Sequence, residues 1–201
     1  MSTDWEQHYQ EGHMPWDKGS AAPPLIDWIA KHPNQLSGDI LVPGCGLGHD
    51  IRALAALEQQ TTILGLDLSP KAIELAKQIA PQANEQYIEA DLFTMDGQFD
   101  CIWEHTCFCA IDPERRDDYV SAVYNLLKPK GTLLAVFYLN PYDNDHQPNG
   151  GPPHGTSVEE LHQRFVEKGD FQIVDEYIPT VSYPGREGLE YVIQFTKTSE
   201  Q

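Results

Sequence analysis

The sequence predicts an α/β fold: an open, mostly parallel sheet of seven strands with helices on both faces. Three features carry that reading. Short β-rich runs alternate with helical periodicity, a glycine-rich turn joins the first run to a helix, and a carboxylate closes each of the next two runs. Strands are expected at residues 39–43, 61–66, 86–89, 99–103, 132–139, 171–177 and 189–195, each rich in β-branched, Leu or aromatic residues. Helical spacing runs through 21–31, 50–58, 70–79, 113–127 and 158–168.

The helix starts are marked by their chemistry. Ser69-Pro70 and Asp112-Pro113 each put a capping side chain before a proline at the first helical position, and Ser157 with Glu160 forms a capping box. Lys130-Gly131 reads as a turn into the fifth strand. Four prolines and three glycines between 140 and 156 exclude helix and central strand there. That segment is a candidate lid or substrate loop, or else an ordinary surface excursion.

Composition bounds the function. With 40% hydrophobic and 22% charged residues, the 201-residue chain is expected to fold as one domain, residues 1–36 forming an N-terminal arm and helix. A net charge of -18, from 31 acidic against 13 basic residues, repels a phosphate backbone and an anionic membrane surface, so neither nucleic acid nor membrane is expected as partner. No apolar run approaches the ~20 residues that cross a bilayer, and no basic-then-apolar leader opens the chain. Cytoplasmic location and a monomeric state are the default expectations. Cys45, Cys101, Cys107 and Cys109 lack paired metal-site spacing and read as reduced thiols, with no metal expected.

The candidate binding site begins at Val42-Pro43-Gly44-Cys45-Gly46-Leu47-Gly48, a buried strand feeding a turn whose glycines let backbone approach a ligand. A dinucleotide turn spaces its glycines Gly-x-Gly-x-x-Gly, but here the third comes one residue early and His49 stands in its place. The pattern leans away from NAD toward a phosphate-free nucleoside. Asp67, at the end of the second strand, is placed to accept both hydroxyls of a ribose, and Asp91, just past the third, to accept from an adenine amino group. Open α/β sheets bind ligands at these carboxyl edges.

On these residues, together with Trp5-Glu6, Pro15-Trp16-Asp17, Phe108-Cys109-Ala110-Ile111-Asp112-Pro113 and Gly150-Gly151-Pro152-Pro153, the chain resembles the thiopurine S-methyltransferase family. The likeness is closer to the branch of plant thiol, thiocyanate and halide methyltransferases and runs almost end to end. The resemblance implies a class I S-adenosylmethionine (SAM) methyltransferase fold with its last strand antiparallel and the N-terminal arm over the cofactor. It also implies that Trp5, Tyr9, Trp16, Gly44, Gly46, Asp67, Leu68, Asp91, Leu92 and His105 surround SAM. Two of these depart from the plant-like pattern, Tyr9 standing for a tryptophan and His105 for a tyrosine.

The activity so implied is methyl transfer from SAM to a small soft nucleophile, a thiol, thiopurine, thiocyanate or halide, with S-methylation foremost and S-adenosylhomocysteine left behind. Such transfer mainly needs the nucleophile, methyl carbon and leaving sulfur aligned, so no catalytic side chain is assigned. Phe108, Tyr138 and Tyr142 are candidates for the acceptor pocket. Arg116 matches an arginine near substrate in the thiopurine branch, or alternatively pairs at the surface with Asp112 or Asp117. A non-catalytic SAM-binding sensor and an NAD-dependent oxidoreductase are the competing readings.

Overall fold

A computed structural model describes residues 3–33, 35–57, 61–79, 84–141 and 151–198. Its seven strands are β1 Gly38–Pro43, β2 Thr61–Asp67, β3 Glu85–Glu89, β4 Phe99–His105, β5 Leu127–Tyr138, β6 Phe171–Tyr177 and β7 Glu190–Lys197. They form one sheet in the order β3-β2-β1-β4-β5-β7-β6. Neighbours from β3 through β5 are parallel, whereas β7 runs antiparallel to both β5 and β6. The expected fold class is what the chain adopts, down to the reversed last strand.

Alternation along the central strands divides the core into two layers. Ile40 and Val42, Cys101 and Trp103, Leu134 and Val136 face one side, where they pack with Leu25 and Trp28 of α2 (Pro23–Lys31), Ile51 and Leu54 of α3 (His49–Ala55) and Ile73 of α4 (Pro70–Gln78). The intervening Leu41, Ile102, Leu133 and Phe137 meet Tyr119 and Val123 of α5 (Arg116–Leu126) and Leu161 of α6 (Val158–Leu161) on the other. Because β2 and β4 lie on opposite sides of β1, the connections leaving β1 and β4 part company at their carboxyl ends. A crevice opens at such a point in parallel sheets.

Several boundaries differ from the sequence expectation, each for a local reason. Residues 5–11 form an additional helix, α1 Trp5–Glu11, which Asp4 caps by accepting from the Gln7 amide at 3.0 Å and Gly12 ends at φ +69°. The helix expected at 113–127 opens with a 3₁₀ turn over Pro113–Arg115, and the one at 158–168 passes into a π-helical stretch, His162–Glu167. Strand β5 begins at Leu127, and the turn expected at Lys130-Gly131 survives inside it as a bulge: Phe99 pairs Leu127 but Cys101 pairs Thr132. Glu58 and residues 142–150 of the proline-rich segment, Tyr142 among them, lie outside the described residues. Among the described residues, no helix is long and apolar enough to cross a membrane.

Candidate functional site

The carboxyl ends of β1, β2 and β3 carry the residues expected to hold a nucleoside. Beyond β1, Gly44 and Gly46 take φ of +59° and +52°, and Gly44 is exposed, leaving its backbone open to a ligand. Gly48, at φ +75°, has a different reason to be glycine: a Cβ there would lie 2.4 Å from the Tyr87 hydroxyl of β3. Asp67 closes β2 with 7% exposure, one oxygen accepting the Gly46 amide and the other the Ser69 amide, each at 3.0 Å. An ionised carboxylate has about four acceptor positions, so capacity for two hydroxyls remains. Burial pushes the Asp67 carboxyl up from its ordinary value, against the hydrogen bonds from Ser69 and Gly46 that hold it down. Asp91, two residues past β3, accepts the Phe93 amide at 2.9 Å through one oxygen. Leu68 beside Asp67 is 54% exposed, whereas Leu92 beside Asp91 is buried in the core.

The N-terminal arm lies across these strand ends. Glu6 of α1 accepts from the Ser69 hydroxyl at 2.5 Å and the Lys71 amide at 3.0 Å, adding its charge to the first turn of α4. Those hydrogen bonds hold its own carboxyl below the usual range. The Tyr9 hydroxyl stands 3.1 Å from where a Gly46 Cβ would lie and accepts from the Trp16 indole at 3.2 Å. Trp5 meets Trp16 edge to face at 5.2 Å. Farther along, Asp17 bonds His49 at 3.0 Å and the Tyr183 hydroxyl donates to Ser20 at 2.6 Å, so the arm is tied to α3 and to the segment before β7.

The adjoining strand ends carry a second cluster of polar and aromatic side chains. His105 closes β4, 3.1 Å from Asp50, which also accepts the Trp103 indole at 2.8 Å and the Ala22 amide at 2.7 Å. Thr106 follows at φ +62°, unusual for a β-branched residue and a sign of a conformation imposed by its surroundings. At the start of β7, Glu190 is fully buried, receives Arg186 at 3.3 Å and faces His105 Nε2 at 4.0 Å. The Arg186 guanidinium lies 4.7 Å over the Tyr138 ring. Burial pushes the Cys45 and Cys107 thiols well above their ordinary range, which keeps both neutral.

Two expected acceptor residues sit deeper. Phe108, 1% exposed, packs edge to face on Tyr119 and Phe137. Arg116, 2% exposed, pairs with neither Asp112 nor Asp117: it holds both oxygens of Glu160 at 3.0 Å and the His154 carbonyl at 3.1 Å. Its charge therefore joins α5 to α6 inside the protein. Sequence reasoning missed Glu6, Asp50, Glu190 and Arg186. Glu190 left a signal, a carboxylate before the apolar run Tyr191-Val192-Ile193; Asp50 left none, since an aspartate in a first helical turn is ordinary.

The chain matches the family model described as thiopurine S-methyltransferase over residues 1–182. It is 35% identical to thiocyanate methyltransferase 1 of Brassica oleracea, over 96% of this chain and 84% of that protein. It is 31% identical to a probable thiol methyltransferase 2 of Arabidopsis thaliana, over 98% and 86%. Among solved structures, a 1,6-didemethyltoxoflavin-N1-methyltransferase of Burkholderia thailandensis with bound S-adenosylhomocysteine superposes at a TM-score of 0.71 and 21% identity, covering 96% of this chain and 85% of that one. That last likeness concerns fold.

Proposed function

We propose, from the premise that the chain belongs to the thiopurine S-methyltransferase family and is a SAM-dependent S-methyltransferase, that its acceptor is a small thiol or a comparably soft anion. One observation carries the assignment of the site: the Gly44–Gly46 turn, Asp67 and Asp91 share one sheet edge, and an aromatic arm is fastened across it. Asp67 has the acceptor capacity for a ribose diol, Asp91 a carboxylate for the adenine edge, and Gly44 an approachable backbone for the amino-acid tail. These acceptors and the approachable backbone fit the ribose hydroxyls, adenine amino group and amino-acid tail of SAM. When bound there, SAM supplies an activated methyl group on a sulfonium leaving group.

The chain's own work is to bind, orient and keep water out. Trp5, Trp16 and Tyr9 offer ring faces and edges above the Gly46 turn, and each ring face turned to a sulfonium contributes ~0.5–2 kcal/mol. On the acceptor side we place His105 and Tyr138 in contact with substrate, and Phe108 and Arg116 behind them as the packed floor. Alignment of reacting atoms by such a floor supplies much of the acceleration in a direct displacement. The test is to incubate the protein with SAM and a panel of thiols, thiopurines, thiocyanate and iodide. S-adenosylhomocysteine is expected with at least one thiol; no turnover with any of them contradicts the reading.

A further inference from the structure

His105 is the last residue of β4, and the turn at Thr106 brings Cys107 beneath the glycine turn, its sulfur 3.2 Å from where a Gly44 Cβ would lie. The imidazole thus stands two residues from the wall of the glycine turn, at the carboxyl end of β4. Its Nδ1 is 3.1 Å from an Asp50 oxygen whose other partner, the Trp103 indole, can only donate. Burial alone would raise the Asp50 pKa, but the charge His105 carries when protonated, its hydrogen bond, the Ala22 amide and the Trp103 indole outweigh it and hold the carboxyl low. Beside an ionised Asp50 the neutral imidazole keeps its proton on Nδ1 and has a lone pair on Nε2.

That Nε2 is buried and has no hydrogen-bond partner among the described residues, and neither has Glu190 Oε2. The His105 side chain is 13% exposed and Glu190 fully buried, so two acceptor atoms are withheld from water at the same spot. Both are answered by a ligand that brings a proton. Charges facing the imidazole from the surrounding elements are Asp50 of α3, Glu190 of β7 and Arg186 before it; Glu104 neighbours it along β4, and Tyr183 packs its ring at 6.0 Å. Arg186 offsets one of these carboxylates, leaving the surroundings with negative charge in excess for an arriving proton.

Resting on the functional reading above, we infer that His105 is the general base, its Nε2 taking the acceptor thiol's proton as sulfur attacks the methyl carbon. The S–H bond breaks toward Nε2 and the thiol's electron pair makes the new C–S bond. The methyl–sulfonium bond breaks with its pair kept by the departing sulfur, and the imidazolium, flanked by Asp50 and Glu190, later returns the proton to solvent. Iodide carries no proton and gains nothing from the base.

The test compares thiols of different acidity with iodide in the wild type across pH, and repeats the comparison in His105→Gln. With the base, kcat/KM for every thiol levels off at one shared pH. Without it, kcat/KM follows each thiol's own ionisation, about pH 8.5 for an ordinary cysteine thiol, and the proposal falls. His105→Gln is expected to lower the thiol-to-iodide ratio about 100-fold, within the range of a lost general base; equal loss for both overturns it. Independently of turnover, ¹⁵N-histidine NMR of the ligand-free wild type should find His105 with the proton on Nδ1 and Nε2 bare, and the opposite tautomer rejects the base. A wild type that consumes no SAM with thiol or iodide defeats the functional reading and the base with it. Turnover that tracks thiol ionisation defeats the base alone.

Discussion

Asp50 answers three donors from three parts of the chain: the Ala22 amide of the arm, the Trp103 indole and the His105 imidazole. Its ionised form is favoured by folding, since its carboxyl lies below the ordinary value. A depressed carboxylate contributes stability that is present above its unfolded pKa, about 3.9, and lost as pH falls through the lower folded value. Asp50→Asn is therefore expected to lose about 2–4 kcal/mol in urea unfolding at pH 7, and the gap to wild type should narrow below pH 4. An equal loss at both pH values contradicts this account. The place of Asp67 was legible in the sequence because it closes a β-rich run at a strand end. Asp50 was not, because its partners lie 28, 53 and 55 positions away and only the assembled sheet brings them together.

Elements were legible where their signals were local. Ser69-Pro70 marked the start of α4, and the Ser69 hydroxyl caps it by accepting the Ala72 amide at 3.0 Å. The bulge at Lys130 was not legible as such, because a turn and a bulge share residue chemistry and the pairing of Cys101 with Thr132 decides between them. The surface pairing of Arg116 with Asp112 or Asp117, the alternative to a place near substrate, is not what forms, for a related reason: its partner Glu160 lies 44 positions on, across another element. Arg116→Ala leaves Glu160 to Arg164 and the Thr156 hydroxyl and removes the guanidinium bond to the His154 carbonyl, so about 3 kcal/mol of stability should go, read as a lower Tm. A Tm unchanged within error would place the arginine in binding instead. The arm makes a separate prediction. Gly46→Ala adds a methyl 3.1 Å from the Tyr9 hydroxyl at φ +52°, and should weaken SAM binding more than it lowers Tm.

For the whole molecule, strand order does the positioning. The switch between β1 and β4 puts the glycine turn, Asp67 and Asp91 on one flank and His105, Tyr138 and Glu190 on the other, so two ligands can meet over one edge. The alternation of strand and helix made this architecture legible, and the two-faced burial of β1 and β4 enforces it. The arm closes the first flank through Glu6 on Ser69 and Lys71. Isothermal titration calorimetry of SAM into wild type and Asp67→Ala shows whether this edge holds the cofactor. Saturable one-to-one binding is expected for the wild type, and in the variant a loss of at least tenfold in affinity, or about 1.4 kcal/mol, measured below a Tm lowered by the missing Gly46 and Ser69 bonds. No heat with the wild type, or equal affinity in both, contradicts it.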